Sequence, residues 1–406
     1  MAKKKIAIIG RGTVGCTAVT FFTGPDVDWD VDWYYDPLIK PTPVGEGTTL
    51  KPPRYWRDSG LFPLSEDMVS LRSTNKVGIR KRNWGNQGND FMHSFPLGET
   101  GLHFSGVVFQ DLAFEKLKQH PNVTCIERNV KPEDIDSDVV LCCAGTPSDF
   151  DEHFTIAAGI PVNAALVSQC PWDHCQFDYT LTYAMPSGWI FGIPLRDRCS
   201  IGYVHNSSFT TREQAADEVQ PLLDELGLTP ASQNYLQFKN YYRKQNFTER
   251  VAYAGNASYF LEPLEATSID TSIDIMRMCV ELWGGNDKVS LEGANNWYHG
   301  SLKNLELMIA MHYSAGSVFD NSFWKHARTV GVQRLISGFE NNEPFVNNLY
   351  KVCKHRPHPM IDVEHAATWD FAHSYLKNAD ELGISHEIVH MGSNYKLDRI
   401  NYDWEN

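Results

Sequence analysis

The amino-acid sequence predicts an α/β protein: a β-α-β nucleotide-binding domain, then an antiparallel sheet, then C-terminal helices. Three observations carry this. An apolar strand near the N-terminus runs straight into a glycine-rich turn and a helix. Two further apolar runs, at residues 31–35 and 138–145, read as strands of a parallel sheet. From about Asn163 the pattern changes to aromatic-rich alternation, the signature of a sheet with one covered face.

Lys5 to Ile9 is the first strand, Gly10-Arg11-Gly12-Thr13-Val14-Gly15 the turn, and Cys16 to Phe22 the helix. In this context each glycine of G-x-G-x-x-G has a task. The first allows a tight turn, the second lets backbone approach a pyrophosphate, and the third lets helix and strand lie close. The second strand, Val31 to Tyr35, ends in Asp36, an acid placed to bind ribose hydroxyls. These residues serve FAD or NAD(P) equally well. Residues 44–49, framed by prolines, form a small-residue loop whose Glu46 either borders a cofactor or belongs to a plain connector.

Thr74 to Trp84 reads as one strand, with Val77 and Ile79 on its buried face and Lys76 and Arg80 on the opposite face. Asn86 to Asn89 is expected to be a loop. A helix at Asp111 to Gln119, a strand at Asn122 to Ile126 and a strand at Asp138 to Gly145 complete the nucleotide domain. Strands at Asp178 to Tyr183 and Ser200 to Val204 follow, with Trp189-Ile190-Phe191-Gly192-Ile193-Pro194 between them. Helices are expected at Thr211 to Leu226, Ile269 to Leu282, Leu302 to Tyr313 and Ser322 to Leu335; the tail from Pro357 is polar and aromatic.

Composition bounds the function. The 406 residues suffice for one or two domains with a large core. A formal charge of -14 argues against general affinity for nucleic acid or an anionic membrane. No run approaches the length of a membrane span, and Ile6 to Ile9 is too short for a signal segment, so a soluble cytoplasmic protein is expected. None of the nine cysteines forms a C-x-x-C pair. The Cys170–Cys175 cluster with His174 lacks the spacing of a structural zinc site, so no metal is expected.

The stretch Tyr259 to Ile269 concentrates chemistry. Glu262 and Glu265 flank a Pro-Leu pair, and Thr267 or Ser268 is placed to cap the following helix. A helix start offers unpaired N–H groups and positive dipole to an anion, and Glu265 would stand beside it as a base.

Taken together, these residues resemble the flavin-dependent halogenases of the tryptophan-halogenase-like type. Trp189-Ile190-Phe191-Gly192-Ile193-Pro194 is similar to the family's W-x-W-x-I-P segment, with Phe191 replacing the second Trp. Glu262-Pro263-Leu264-Glu265-Ala266-Thr267-Ser268 is similar to its E-P-L-E-[SA]-T segment, and Lys76 with Ile79, Asn83 and Trp84 to the stretch that holds its catalytic lysine. His312-Tyr313 and Phe323-Trp324 resemble its later helical segment. The likeness covers about residues 5 to 330.

The resemblance implies the flavin monooxygenase fold and FAD, delivered as FADH2 by a separate reductase. It implies a halide oxidised to hypohalous acid, and electrophilic halogenation of a small electron-rich aromatic. Lys76 would receive the oxidised halogen, and Glu265 would polarise it or take the ring proton. Ala266, Thr267 and Ser268 would bind halide, and Trp189, Phe191, Ile193 and Pro194 would line the passage from the flavin. Gly10, Gly12, Thr13, Val14, Gly15, Asp36, Glu46, Gly145 and Ile269 would bind FAD. Residues 1–160 and about 240–300 would form the cofactor side, and about 161–240 and 300–406 the substrate side.

Two departures matter. Ala266 lacks the hydroxyl of the family members that carry Ser there, which favours bromide or iodide over the more strongly hydrated chloride. The chain is also short for the family, which implies a more open site than one for free tryptophan. A single-component aromatic hydroxylase using NAD(P)H is the alternative enzyme, but the sequence has no Asp-Gly dipeptide and no second glycine fingerprint. A non-catalytic flavin-binding protein is the alternative outside enzymes. Homo-oligomerisation is left open.

Overall fold

The computed structural model describes residues 3–39, 45–85, 89–96, 98–285 and 289–343. The glycine turn organises its first sheet. Five parallel strands run in the order Val251–Tyr253, Val139–Cys142, Lys5–Ile9, Asp30–Tyr35, Val123–Glu127. The central strand is covered on both faces, as its unbroken apolar run requires: Ile6, Ala7 and Ile8 are fully buried. Gly10 has φ +107°, and a Cβ there would meet the Cys143 carbonyl oxygen at 2.4 Å. A Cβ at Gly15 would lie 2.2 Å from the Gly10 carbonyl oxygen, so the helix can rest against this strand only through a glycine. The helix runs Thr13–Thr23, starting inside the motif and earlier than its apolar run suggests, because Gly12 supplies an extended N-cap.

The second sheet has seven strands in the order Ser232–Gln237, Ala164–Pro171, Arg198–His205, Gly188–Pro194, Thr180–Met185, Gly78–Trp84, Asn89–Ser94. All pairings are antiparallel except that of Thr180–Met185 with Gly78–Trp84. Alternation along Gly188–Pro194 divides the core. Trp189, Phe191 and Ile193 join the main cluster, whereas Ile190 joins a second cluster with Leu181, Tyr183, Ile201 and Tyr203. Helix Arg212–Glu225 covers that second face with Ala215, Val219, Leu222 and Leu223. Burying each of the larger three contributes roughly 1.5–3 kcal/mol. Thr211 and Gln214 close a capping box at its start.

The single strand expected over residues 74–84 is two. Thr74–Lys76 pairs with Gly101–Ser105, which also pairs with Gly45–Gly47; Gly78–Trp84 belongs to the large sheet. The break falls at Val77, whose N–H goes to the Asp178 carbonyl and whose carbonyl accepts from Phe95. Gly78 lies so close to the neighbouring strand that a Cβ would strike the His93 carbonyl oxygen at 2.4 Å. Strict alternation fails across this break. Lys76 and Arg80 do not share a face: Lys76 is buried, and Arg80 pairs with Asp90 at 2.8 Å near the surface. Asn89 opens a strand instead of ending a loop; Asn86 to Gly88 lie outside the described residues, as does Val44.

Among the described residues, three helices follow the turn that carries Glu262 and Glu265: Ser268–Trp283, Leu291–Ala315 and Ser322–Glu340. The middle one begins well before Leu302. Its polar opening conceals a buried stripe of Ala294, Tyr298 and Leu302, and Ser290 caps it by accepting from Gly293 N–H at 3.0 Å. Among the described residues no helix is long and apolar enough to cross a membrane, and no cluster of His, Cys, Asp and Glu could hold a metal. The tail from Pro357 lies outside them.

Candidate active site

One cavity of about 450 Å³ joins the glycine turn to the inner face of the large sheet. Gly12, Thr13, Val14, Glu46, Gly145 and Ile269 line it at the turn, Trp189, Phe191 and Ile193 line it on the sheet, and Lys76, Ala266, Thr267 and Ser268 complete the wall. Gly10 and Gly15 stand behind it and hold strand and helix together. Asp36 lies off the wall, accepting from the Leu38 N–H at 2.9 Å and from Asn129 at 3.1 Å. Pro194 is also off it, with its carbonyl accepting from Thr74 at 2.6 Å. Glu265 is not on the wall either.

The turn fits a dinucleotide. Nothing lies within 4 Å of a Cβ at Gly12, so its backbone faces open space at the N-terminus of helix Thr13–Thr23. Gly145 and Gly255 adopt φ +87° and +59° on the same wall. Glu46 is half-buried there and accepts from Thr13 Oγ1 at 3.0 Å; desolvation pushes its carboxyl up to about 7.

Lys76 is 2% exposed. Its Nζ lies 5.5 Å from the Phe95 ring centre and 3.9 Å from where a Gly47 Cβ would stand, so Gly47 leaves room for the amine. Burial pushes this amine down to about 8, against the charge of Glu265 and with that of Lys81.

Glu265 ends the turn Pro263–Glu265, and Ala266 follows in the left-handed region at φ 53°, ψ 34°. For a residue with a Cβ this costs about 1–2 kcal/mol. It turns the chain so that helix Ser268–Trp283 starts on the cavity wall. The expected cap is not made: Thr267 occupies the N-cap position, but no side chain bonds the first N–H groups.

Glu265 Oε1 lies 2.9 Å from Lys81 Nζ and 2.9 Å from His312 Nε2, and these two nitrogens are 2.8 Å apart. Burial raises the Glu265 carboxyl, but Lys81 and then His312 outweigh it and hold it well below the ordinary carboxylate range. Burial pushes Lys81 down to about 8, and burial with the Lys81 charge pushes His312 down to about 4. Three residues earlier, Glu262 has the reverse environment. It is 3% exposed, Oε2 accepts from Trp189 Nε1 at 2.9 Å and from Tyr313 OH at 2.8 Å, and burial pushes it up to about 8.

Sequence reasoning missed Lys81. The signal was present, since Lys81 follows Val77 and Ile79 in period two and so falls on the strand's apolar face. His312 and Glu262 were noted without a role, because nothing local indicates that they bracket a carboxylate and an indole from distant elements.

Comparison with known proteins identifies the family and the fold. The family model described as tryptophan halogenase matches residues 5–134 and 133–347. The tryptophan 7-halogenase KtzQ of Kutzneria sp. (strain 744) is 36% identical over 93 residues, covering 22% of this chain and 17% of that protein. The tryptophan 7-halogenase RebH of Lentzea aerocolonigenes is 29% identical over 145 residues, covering 33% and 27%. The matched stretches thus span less than a third of these curated relatives. Among solved structures, the flavin-dependent halogenase BrvH from Brevundimonas sp. BAL3 superposes with a TM-score of 0.71 at 18% identity, over 97% of both chains. MibH, a lathipeptide tryptophan 5-halogenase, does so with a TM-score of 0.73 at 19% identity, over 95% of this chain and 86% of its own. The fold is therefore the Rossmann-like fold of the flavin-dependent halogenases, and with the family model matching from residue 5 to residue 347, the chain belongs to the tryptophan halogenase family.

Proposed function

We propose that this protein is an FAD-dependent halogenase acting on an electron-rich aromatic substrate. One observation carries the reading: a single cavity wall holds both a dinucleotide turn and a desolvated lysine, with an ionised glutamate acting on that lysine. Bound at the turn as FADH2, the cofactor supplies, with oxygen, the two-electron oxidation of a halide to hypohalous acid. Gly12, Thr13, Val14, Glu46, Gly145 and Ile269 hold it there, backed by Gly10 and Gly15.

The chain's own residues do the rest. Backbone at Ala266, Thr267 and Ser268 holds the halide at the uncapped helix start. Trp189, Phe191 and Ile193 form a passage that keeps the aromatic substrate from the flavin. Lys76 receives the oxidised halogen and fixes its position, which both activates it and prevents its escape. An electron pair of the ring forms the carbon–halogen bond as the halogen–oxygen bond breaks and the departing hydroxide takes a proton from the Lys76 ammonium to leave as water, or as the halogen–nitrogen bond breaks and its electron pair returns to Lys76 Nζ; Glu265 accepts the ring proton. Reduced flavin comes from a separate cytoplasmic reductase. Residues 1–160 and about 240–300 form the cofactor side, and about 161–240 with the segment from 300 onward the substrate side. Bromide or iodide is used in preference to chloride.

The test is mass spectrometry of phenols and indoles incubated with protein, FAD, a flavin reductase, NADH and each halide, with catalase present. A halogen mass shift that Lys76→Ala abolishes, while bound flavin and its reoxidation stay near normal, supports the reading. A gain of one oxygen points instead to a hydroxylase, and loss of flavin in Lys76→Ala would mean that the lysine serves the cofactor.

A further inference from the structure

We propose that Lys81 is a positioning residue for Glu265: together with His312 it pins Oε1 and so presents Oε2 as the oxygen that receives the ring proton. The inference rests on the halogenase reading, and it adds a residue that the resemblance does not assign.

Three elements meet here. Lys81 comes from strand Gly78–Trp84, Glu265 from the turn before helix Ser268–Trp283, and His312 from helix Leu291–Ala315. Lys81 and His312 are fully buried, and the Glu265 side chain is 11% exposed. Both contacts fall on Oε1, at 2.9 Å each. His312 Nδ1 stands 2.9 Å from the Met308 carbonyl oxygen and so carries a hydrogen. In the neutral ring, Nε2 is then an acceptor. Nε2 and Oε1 are therefore two acceptors only 2.9 Å apart, and such an approach is stable only if a donor serves both. The Lys81 ammonium does so, at 2.8 Å from Nε2 and 2.9 Å from Oε1. Removing that ammonium forces the Glu265–His312 pair to take up a proton, on the carboxylate or on the imidazole.

A carboxylate that already holds a proton cannot accept one from the ring. Lys81 thus keeps the base in its working form although it touches neither substrate nor cofactor. Among the described residues, the charged and titratable groups acting on Glu265 are Lys81 and His312 in contact, with Lys76 within its field. His103, whose ring is held neutral by burial and then by the Lys76 charge, faces Lys76 from strand Gly101–Ser105.

The experiment compares wild type, Lys81→Met, Glu265→Gln and the double variant, each loaded with FAD. In the wild type the halogenation rate is flat on the acid side of neutrality. In Lys81→Met an acid limb appears between about pH 5 and 7, because burial now acts on Glu265 without its cation. The rate at neutral pH falls on the order of tenfold or more with halide KM unchanged, as expected for impaired base catalysis. In the Glu265→Gln background the same substitution costs nothing further.

A second readout does not depend on halogenation. Lys81→Met lowers the unfolding midpoint, and adding Glu265→Gln restores it, because no buried carboxylate is then left to be paired or protonated. If the wild type forms no halogenated product, the functional reading fails, and this thermal cycle still decides whether Lys81 holds Glu265 ionised. If Lys81→Met does not fold, the double variant should. An unchanged midpoint in Lys81→Met, additive effects in the double variant, or failure of both to fold would overturn the proposal.

Discussion

Glu262 and Glu265 stand three residues apart on one turn and hold opposite protonation states. Glu262 takes hydrogen bonds from Trp189 and Tyr313, two neutral donors, in a buried site that pushes it up to about 8. Glu265 takes its contacts from Lys81 and His312 and stays ionised. Two carboxyl groups pushed in opposite directions are the usual mark of separate acid and base duties.

Glu262→Gln tests the first half of this arrangement. A protonated acid and an amide have nearly the same shape and charge, so the variant should fold, keep both hydrogen bonds and bind flavin. The sign of its pH effect follows from linkage. Glu262 has a folded value of about 8, above its ordinary 4.5, so between these values the native state binds more protons than the unfolded state. Stability therefore falls as pH rises through that window. The Gln variant lacks this slope and should gain midpoint temperature over wild type as pH rises toward about 8. Thermal unfolding across that range is the check, and parallel curves for the two proteins would contradict it.

Lys76 carries its charge below about 8 and loses it above. As an ammonium it donates a charge-assisted hydrogen bond to hypohalous acid; as a free amine its lone pair attacks the halogen instead. With the wild type the expected outcome is a halogenation rate that falls above about pH 8, measured with reductase in excess. A rise through the same range would identify the free amine as the halogen carrier.

Ala266 should weaken chloride binding most, because chloride gives up the most hydration on entry. At equal halide concentrations the wild type is expected to yield more brominated than chlorinated product. Ala266→Ser restores a hydroxyl and should move that ratio toward chloride by about fivefold, the scale of one hydrogen bond of ~1 kcal/mol. Product yields by mass spectrometry decide it, and a chloride preference in the wild type would sink it.

Gly12 and Gly10 should separate cofactor binding from folding. A methyl group at Gly12 meets nothing within 4 Å, whereas one at Gly10 meets backbone at 2.4 Å at a positive φ. Gly12→Ala should keep its unfolding midpoint in the absence of flavin and lose affinity for FAD by roughly tenfold, about 1.4 kcal/mol. Gly10→Ala should lose stability outright. Fluorescence titration of FAD alongside thermal unfolding measures both, and unchanged FAD affinity in Gly12→Ala would remove the cradle from the site.

Much of this architecture was legible in the residues because its causes are local. Strand, glycine turn and helix at Lys5 to Phe22 follow from apolar period and from the freedom of Gly10 at positive φ, both properties of neighbouring residues. The alternation of Trp189, Phe191 and Ile193 is equally local, and so is the Thr211–Gln214 cap. Tertiary structure alone decided that Lys76 is buried. The break at Val77 exists because another strand approaches Gly78, and it undoes the simple alternation that would pair Lys76 with Arg80. Tertiary structure also decided the charges on the carboxylate turn. Glu262 and Glu265 have the same intrinsic acidity, and the sequence around them is nearly symmetric. What separates them is burial, two neutral donors on one and a lysine with a histidine on the other. Those partners come from elements up to 184 residues away, and long-range electrostatics in a dry interior leaves no trace in a local pattern.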